Sequence, residues 1–420
     1  MTAYRSKRLH RLTCQRILAL TSPVLLVGVM SGTGPARAAV GASGTPTAAA
    51  QGHVLGWGLN EFGELGVGDT MDRTTPVQVN GRFGLRASSA RIGDFLIAVN
   101  SAGQVFTSGS GADGELGTGR FLDHAWHPVR ARLPRGVKVR SAREGFHFAV
   151  AVSTAGRVLA WGVGGLGQLG NGQLRNRNAP VYVQLPRGVK VTAVSAFNEG
   201  AIALTTTGRV LAWGYNFDGE LGDGKKPDSR TPVWVRLPRN TKVTSIAAGT
   251  FHLFAVTSTG GLLAWGDNNT GQLGIGHAGG LSRVPVRVHL PRGVKVVSAS
   301  AGQSHSLALT STGRVLAWGD NSQGQLGTGN RQHASAPVWV HLPKVAHITS
   351  IAAGQYHSLA LTRGGKMIGW GGDGYGQMGD GGFDDFLTPA TLFVPTNKVL
   401  AIGAGPLADD SVAVVDQLIS

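Results

Sequence analysis

Three histidines, His252, His305 and His357, stand 53 and 52 residues apart, each at the end of a short turn. Imidazoles converging from successive units of a ring could hold a metal ion or exchange protons, whereas in a repeated turn they serve as buried, hydrogen-bonded groups. The regular spacing favours the structural use, because equivalent atoms of adjacent units lie too far apart to share one ion. The stretch Gly162-Val163-Gly164-Gly165-Leu166-Gly167 has the spacing of a dinucleotide fingerprint. That fingerprint works by presenting a helix N-terminus to a pyrophosphate, and no helical pattern follows here. Asp384 and Asp385 are neighbours in a loop, which gives a carboxylate pair no defined acid/base geometry. The single cysteine, Cys14, lies in the N-terminal segment, so no disulfide, thiol nucleophile or cysteine metal ligand is expected in the mature chain. No catalytic residue, cofactor site or metal site is therefore assigned, and the chain is not expected to be an enzyme.

These residues are positioned by a repeat. Trp57, Trp161, Trp213, Trp265, Trp318 and Trp370, with Ser108 in the same slot, mark seven units in steps of 51 to 53 residues. In the sixth unit, Arg314 to Gly319 is an apolar strand and Asp320 to Gly329 a polar, Gly-rich loop. Strands are predicted from Pro337 to Leu342, from His347 to Ala353 and from Ser358 to Thr362. Four strands per unit, seven times, predict an all-β, seven-bladed β-propeller with four antiparallel strands per blade. A Gly six residues after the Trp slot (Gly63 through Gly376) is expected where the backbone needs positive φ or a close approach. The first unit begins at His53 without a preceding partner, and the strands Val399 to Gly403 and Ser411 to Val415 are left over at the other end. The ring is thus expected to close by N- and C-terminal strands sharing one blade, which removes open sheet edges. The 65 glycines among 420 residues fit many short strands and tight turns.

Ahead of the repeats, Arg5, Lys7, Arg8, Arg11 and Arg16 precede an apolar stretch from Ile17 to Val29 and the small-residue site Ala36-Arg37-Ala38. This is the pattern of an export signal, expected at 1–38 with cleavage near Ala38, followed by a flexible leader at 39–51 and the propeller at 52–420. An uncleaved membrane anchor is the alternative. Removal of six Lys/Arg with the signal takes the formal charge from +16 to +10.

Strands of alternating direction sort the connecting loops onto two faces. One rim carries the Leu-Pro-Arg-Gly turns and the Ser-Thr-Gly-Arg turns, and with them Arg135, Lys138, Arg187, Lys190, Arg239, Lys242, Arg292, Lys295 and Lys344, joined by Arg157, Arg209 and Arg314. Asp416 is the only acid placed there. This rim suits an anionic cell-wall polymer or acidic polysaccharide, although repeated basic turns also serve solubility. Stacking aromatics are scarce on it, so no specific nucleic-acid partner is expected. On the other face, the slot before the turn histidine reads Asp94, His147, Glu199, Phe251, Ser304, Tyr356 and Asp409, varying inside a constant frame. Phe62, Trp126, Phe146, Phe197, Phe217 and Tyr375 lie in neighbouring loops. Aromatics bounded by charges are the material of protein-binding hot spots, and Asp94, Phe146, His147, Phe197, Glu199, Phe217, Phe251, Tyr356 and Tyr375 are the candidate partner contacts.

The run Val315-Leu316-Ala317-Trp318-Gly319-Asp320-Asn321 with Gly324-Gln325-Leu326-Gly327, then Ala352-Ala353-Gly354-Gln355-Tyr356-His357-Ser358-Leu359-Ala360-Leu361, resembles the regulator of chromosome condensation repeat family over about residues 52 to 415. The resemblance implies a propeller used as a protein-binding disc. The family's founder exchanges guanine nucleotide on a small GTPase and binds chromatin, and similar secreted bacterial propellers cap and inhibit β-lactamases. No exchange-specific residues are matched, and an export signal argues against a role on an intracellular GTPase. The expectation is a monomeric, secreted bacterial module that binds an extracellular protein. Attachment to wall polymer through the basic rim and action on a polysaccharide are the alternatives.

Overall fold

The computed structural model describes residues 52–79, 85–344, 346–404 and 409–418. The expected export signal and leader fall outside the described residues.

Among the described residues the regular elements are all strands, and they form seven antiparallel sheets arranged as the blades of a ring. Blade 6 is typical: Val296–Ala301, His305–Thr310, Val315–Gly319 and Ala334–Trp339 lie side by side in that order. The sequence unit and the blade are therefore out of phase by two strands. The strands near His347 and Ser358, read with the sixth unit, are the first two strands of blade 7, Ile348–Ala353 and His357–Thr362. This offset is what makes ring closure possible. Blade 1 joins Gly52–Gly58 and Arg73–Gln78 from the start of the chain to Val399–Ala404 and Asp410–Val415 from its end. The clasp runs in register from His53 opposite Val415 to Gly58 opposite Asp410.

The two middle strands of each blade, such as Phe148–Ser153 and Val158–Gly162, are buried on both faces because each blade is covered by two others, whereas the outermost strand, such as His124–Arg130, is partly exposed. The core is divided into clusters at the blade junctions, such as Phe148, Val150 and Leu169 of blade 3 against Val191, Ala201 and Trp213 of blade 4. All six Trp-slot indoles are fully buried. Each Nε1–H donates across the junction to a loop carbonyl of the preceding blade, as Trp318 does to Gln272 O at 2.8 Å. Trp57 makes the same bond to Gln377 O at 2.9 Å and so seals the junction between blades 7 and 1. In blade 2 the Ser108 hydroxyl substitutes, donating to Glu64 O at 3.2 Å. Gly324 shows why its slot excludes other residues. Its φ is +84°, and a Cβ would stand 2.7 Å from the Leu387 side chain of the next blade.

Candidate functional site

The loops after the Trp slot share one construction. A Glu or Gln immediately after the slot glycine turns back to accept the N–H two positions before it, as Glu115 does from Asp113 (2.9 Å) and Gln168 from Leu166 (2.9 Å). These loops lie against the turns that carry the variable slot: the Asp320 N–H donates to Ser304 O at 2.9 Å, and Thr270 Oγ1 donates to the same carbonyl at 3.0 Å. The Trp-Gly loops and the histidine turns therefore form one surface.

On that surface Asp94, Phe146, His147, Phe251, Tyr356 and Tyr375 are half-buried, and Phe217 is 68% exposed with its ring stacked 6.3 Å from Tyr215. Phe251 packs against the core cluster shared by blades 7 and 1 although it belongs to blade 5, which puts its ring at the central opening. Phe197 corrects the sequence reading: its exposure is 0% and it lies in the core between blades 4 and 5. Its slot holds glycine in blades 3, 5, 6 and 7 because the next large ring fills that space. A Cβ on Gly145 or Gly354 would collide with Phe148 or His357. Blade 4 exchanges the pair, with Phe197 inside and Gly200 in the histidine slot, so the substitution Phe for Gly followed by Gly for His was the available signal.

His252, His305 and His357 do not converge. Each Nε2–H donates to the serine hydroxyl of the next blade, Ser306, Ser358 and Ser411, at 2.9 to 3.0 Å. Each serine donates in turn to the loop carbonyl that also receives the Trp indole, Gln272, Gln325 or Gln377. Burial holds all three imidazoles neutral down to about pH 3, with the neighbouring His252 and His357 adding to the effect on His305. Their ordinary value is 6.5, so the unfolded chain takes up these protons first and stability falls as pH drops from 6.5 towards 3. Each should contribute a loss of about 2 to 3 kcal/mol by pH 4.5. Urea unfolding of His305→Gln should show that its stability deficit at pH 7.5 narrows by about that amount at pH 4.5; a deficit independent of pH would refute the neutral, buried state.

The acids behave differently. Burial, then Asp228, raises Glu199 to about 7, and burial, then Asp267, raises Asp218 to about 6. At the ring centre, Arg91, Arg143 and Glu144 form a buried charged group that the sequence reading missed. Burial, then Arg143, lowers Arg91 to about 9, and burial raises Glu144 to about 7. The signal was two arginines in an inner-strand slot that elsewhere holds Ser195, Ala247, Ser300, Ala352 and Gly403.

A family model described as an RCC1-like domain matches residues 174–413, and one described as the regulator of chromosome condensation (RCC1) repeat matches 51–99 and 102–152. The chain belongs to the RCC1 repeat family. It is 32% identical over 330 residues to the ultraviolet-B receptor UVR8 of Arabidopsis thaliana, covering 78% of this chain and 74% of that one. It is 30% identical to the mouse secretion-regulating guanine nucleotide exchange factor, covering 87% of this chain and 84% of that one. Prp20p of Saccharomyces cerevisiae shares the fold, with a TM-score of 0.78 at 24% identity over 88% of this chain and 92% of that one.

In this RCC1-type propeller the opposite rim is built as the strand directions require. The Thr154 N–H donates to Lys138 O and the Ser311 N–H to Lys295 O, which places the two turn families side by side. Arg135, Lys138, Arg187, Lys190, Arg239, Lys242, Arg292 and Lys295 are all exposed. Asp416 is engaged by the Thr396 hydroxyl and the Lys398 N–H. The scarcity of rim aromatics needs correcting. The guanidinium carbons of Arg157, Arg209 and Arg314 lie 3.4 to 3.6 Å from the ring centroids of Tyr182, Trp234 and Trp339. The pairs join a strand-start arginine to an aromatic on the outermost strand of the same blade, a diagonal contact that residue order alone does not display.

Proposed function

We propose that the chain is an exported, non-catalytic module that binds a protein through the face formed by the Trp-Gly loops, along blades 7, 1, 2 and 3. The observation that carries this reading is an arc of apolar loop tips. Phe383, Met71, Phe121 and Leu174, at or next to one slot in those four consecutive blades, are between 54% and 65% exposed, whereas blades 4, 5 and 6 carry Lys226, Ala278 and Arg331 in the same slot. Phe62 and Trp126 are exposed beside them. Large apolar side chains grouped on one sector and ringed by carboxylates form a protein-binding surface. Export is proposed from the basic, apolar and small-residue pattern of residues 5–38. Guanine nucleotide exchange, named for the mouse relative, does not fit an exported chain.

Affinity capture from culture medium and cell-wall extracts tests the reading. A protein retained in high salt should be lost by Phe121→Ser with Met71→Ser, two exposed changes that leave the folding stability unchanged within about 0.5 kcal/mol. Retention of that protein by the variant would overturn it. A second reading, attachment to an anionic polymer, is favoured by the Arg-aromatic stacks, because an arginine held on a ring keeps its edge free for carboxylate or phosphate. Polymer captured by wild type and variant alike, and released from both by salt, would establish that alternative.

A further inference from the structure

We infer that Asp113, Glu115 and His147 form a divalent-cation site suited to Zn²⁺ at the junction of blades 2 and 3. His147 Nδ1 lies 3.3 Å from Glu115 Oε1 and 3.8 Å from Asp113 Oδ2, and one donor atom from each of the three residues falls within 4.8 Å of the others. A tetrahedral ion with ligands at about 2.0 to 2.2 Å needs donors roughly 3.3 to 3.6 Å apart, so small side-chain movements complete the set. The donor chemistry fits as well, since one imidazole nitrogen and two carboxylates offset the charge of Zn²⁺.

The ordinary alternative is a hydrogen-bonded ion pair, and part of the geometry does belong to the loop. Glu115 Oε2 accepts the Asp113 N–H as its counterparts do in the other loops. Glu115 Oε1 accepts the Ser110 hydroxyl at 2.7 Å, as Gln272 and Gln325 bond Asp267 and Asp320 in that slot, but it alone also faces a histidine, His147. Asp113 Oδ1 is fixed by the Asn176 amide at 2.9 Å, which leaves Oδ2 as the oxygen nearest His147.

A separate observation points to a missing ligand. The Phe146 N–H donates to Asn198 O at 3.0 Å, bringing the turn of blade 4 against that of His147. Asn198 is fully buried and neither polar atom of its side chain has a hydrogen-bond partner. Glu199, 9% exposed, likewise leaves Oε2 without a partner, and the charge of His147 acts on it. The unpaired Glu199 oxygen beside His147 is the group that a cation or its bound water would satisfy. Glu199 would stand behind the site as a carboxylate for a metal-bound water.

An imidazole must be deprotonated to bind a cation, so a proton competes with the ion. The site is independent of the partner reading and is tested without a partner. Zn²⁺ is titrated calorimetrically into the chelator-treated chain, with Ca²⁺ as a control, and the same is done with Glu115→Gln and His147→Gln. Glu115→Gln keeps the loop intact, because glutamine holds that slot in blades 3, 5, 6 and 7. Expected is one ion per chain, bound more tightly at pH 8 than at pH 6, and at least about tenfold weaker in both variants. Absence of binding by the wild type, or wild-type affinity in either variant, overturns the proposal.

Discussion

Trp57→Ala should destabilise the ring by about 4 kcal/mol in urea unfolding, the cost of emptying a fully buried indole site and removing one of the two hydrogen bonds to the Gln377 carbonyl. Trp213→Ala removes an equivalent indole from blade 4 and should cost a similar amount. The two variants should part in limited proteolysis. Trp57 stands on the strand Gly52–Gly58, which is held in blade 1 by pairing with the far end of the chain and by the indole bond to Gln377. Loss of that indole should expose the N-terminal strands at 52–79 to cleavage while blades 3 to 6 stay resistant. In Trp213→Ala those strands should remain protected. Equal cleavage of the first strands in both variants would show that the clasp is not the weak junction.

Asp373→Asn should have the opposite sign, raising stability by about 2 kcal/mol at pH 8. Asp373 occupies the slot held by Asn60, Asn216, Asn268 and Asn321 in blades 1, 4, 5 and 6. There the asparagine accepts one loop N–H and donates two bonds to loop carbonyls, as Asn321 does with Leu326 N (2.9 Å), Asn330 O (2.9 Å) and Gln332 O (3.0 Å). Asp373 retains the first contact, from the Met378 N–H at 2.7 Å, but its buried Oδ2 finds no donor and, once ionised, has nothing to donate. Burial, then Asp380 and Asp385, raises its pKa from 3.8 to about 7. A raised folded-state pKa means that the folded state retains a proton the unfolded chain releases, so wild-type stability falls as pH rises from about 4 to 7. The advantage of Asp373→Asn should grow across that window and level off above it. A variant no more stable than wild type at pH 8 would contradict this account.

The ring was legible in sequence because its constraints are backbone constraints repeated seven times. Gly324 and its equivalents, the Trp slot and the Leu or Met two positions after the glycine each meet the same environment in every blade, and repetition separates them from chance. Features peculiar to one blade were harder to read. Phe197 looked like a loop aromatic until its exchange with Gly200 was seen in space. Asp113 and His147 lie 34 residues apart on different blades, and only the turn of one blade against the loop of the next brings them together. The apolar tips Phe121 and Leu174 sit in loops whose composition is otherwise polar, so their common exposure emerges from the geometry of the face.

Hydrogen exchange of the chain alone and with its captured partner tests the central claim most directly, because it reports which face is covered. Protection should concentrate in the loops spanning 60–72, 111–126, 164–176 and 373–386, leaving the Leu-Pro-Arg-Gly turns of the opposite rim exchanging as they do in the free chain. Protection confined to the turns around Arg135, Arg187, Arg239 and Arg292 would place the partner on the basic rim and contradict the account.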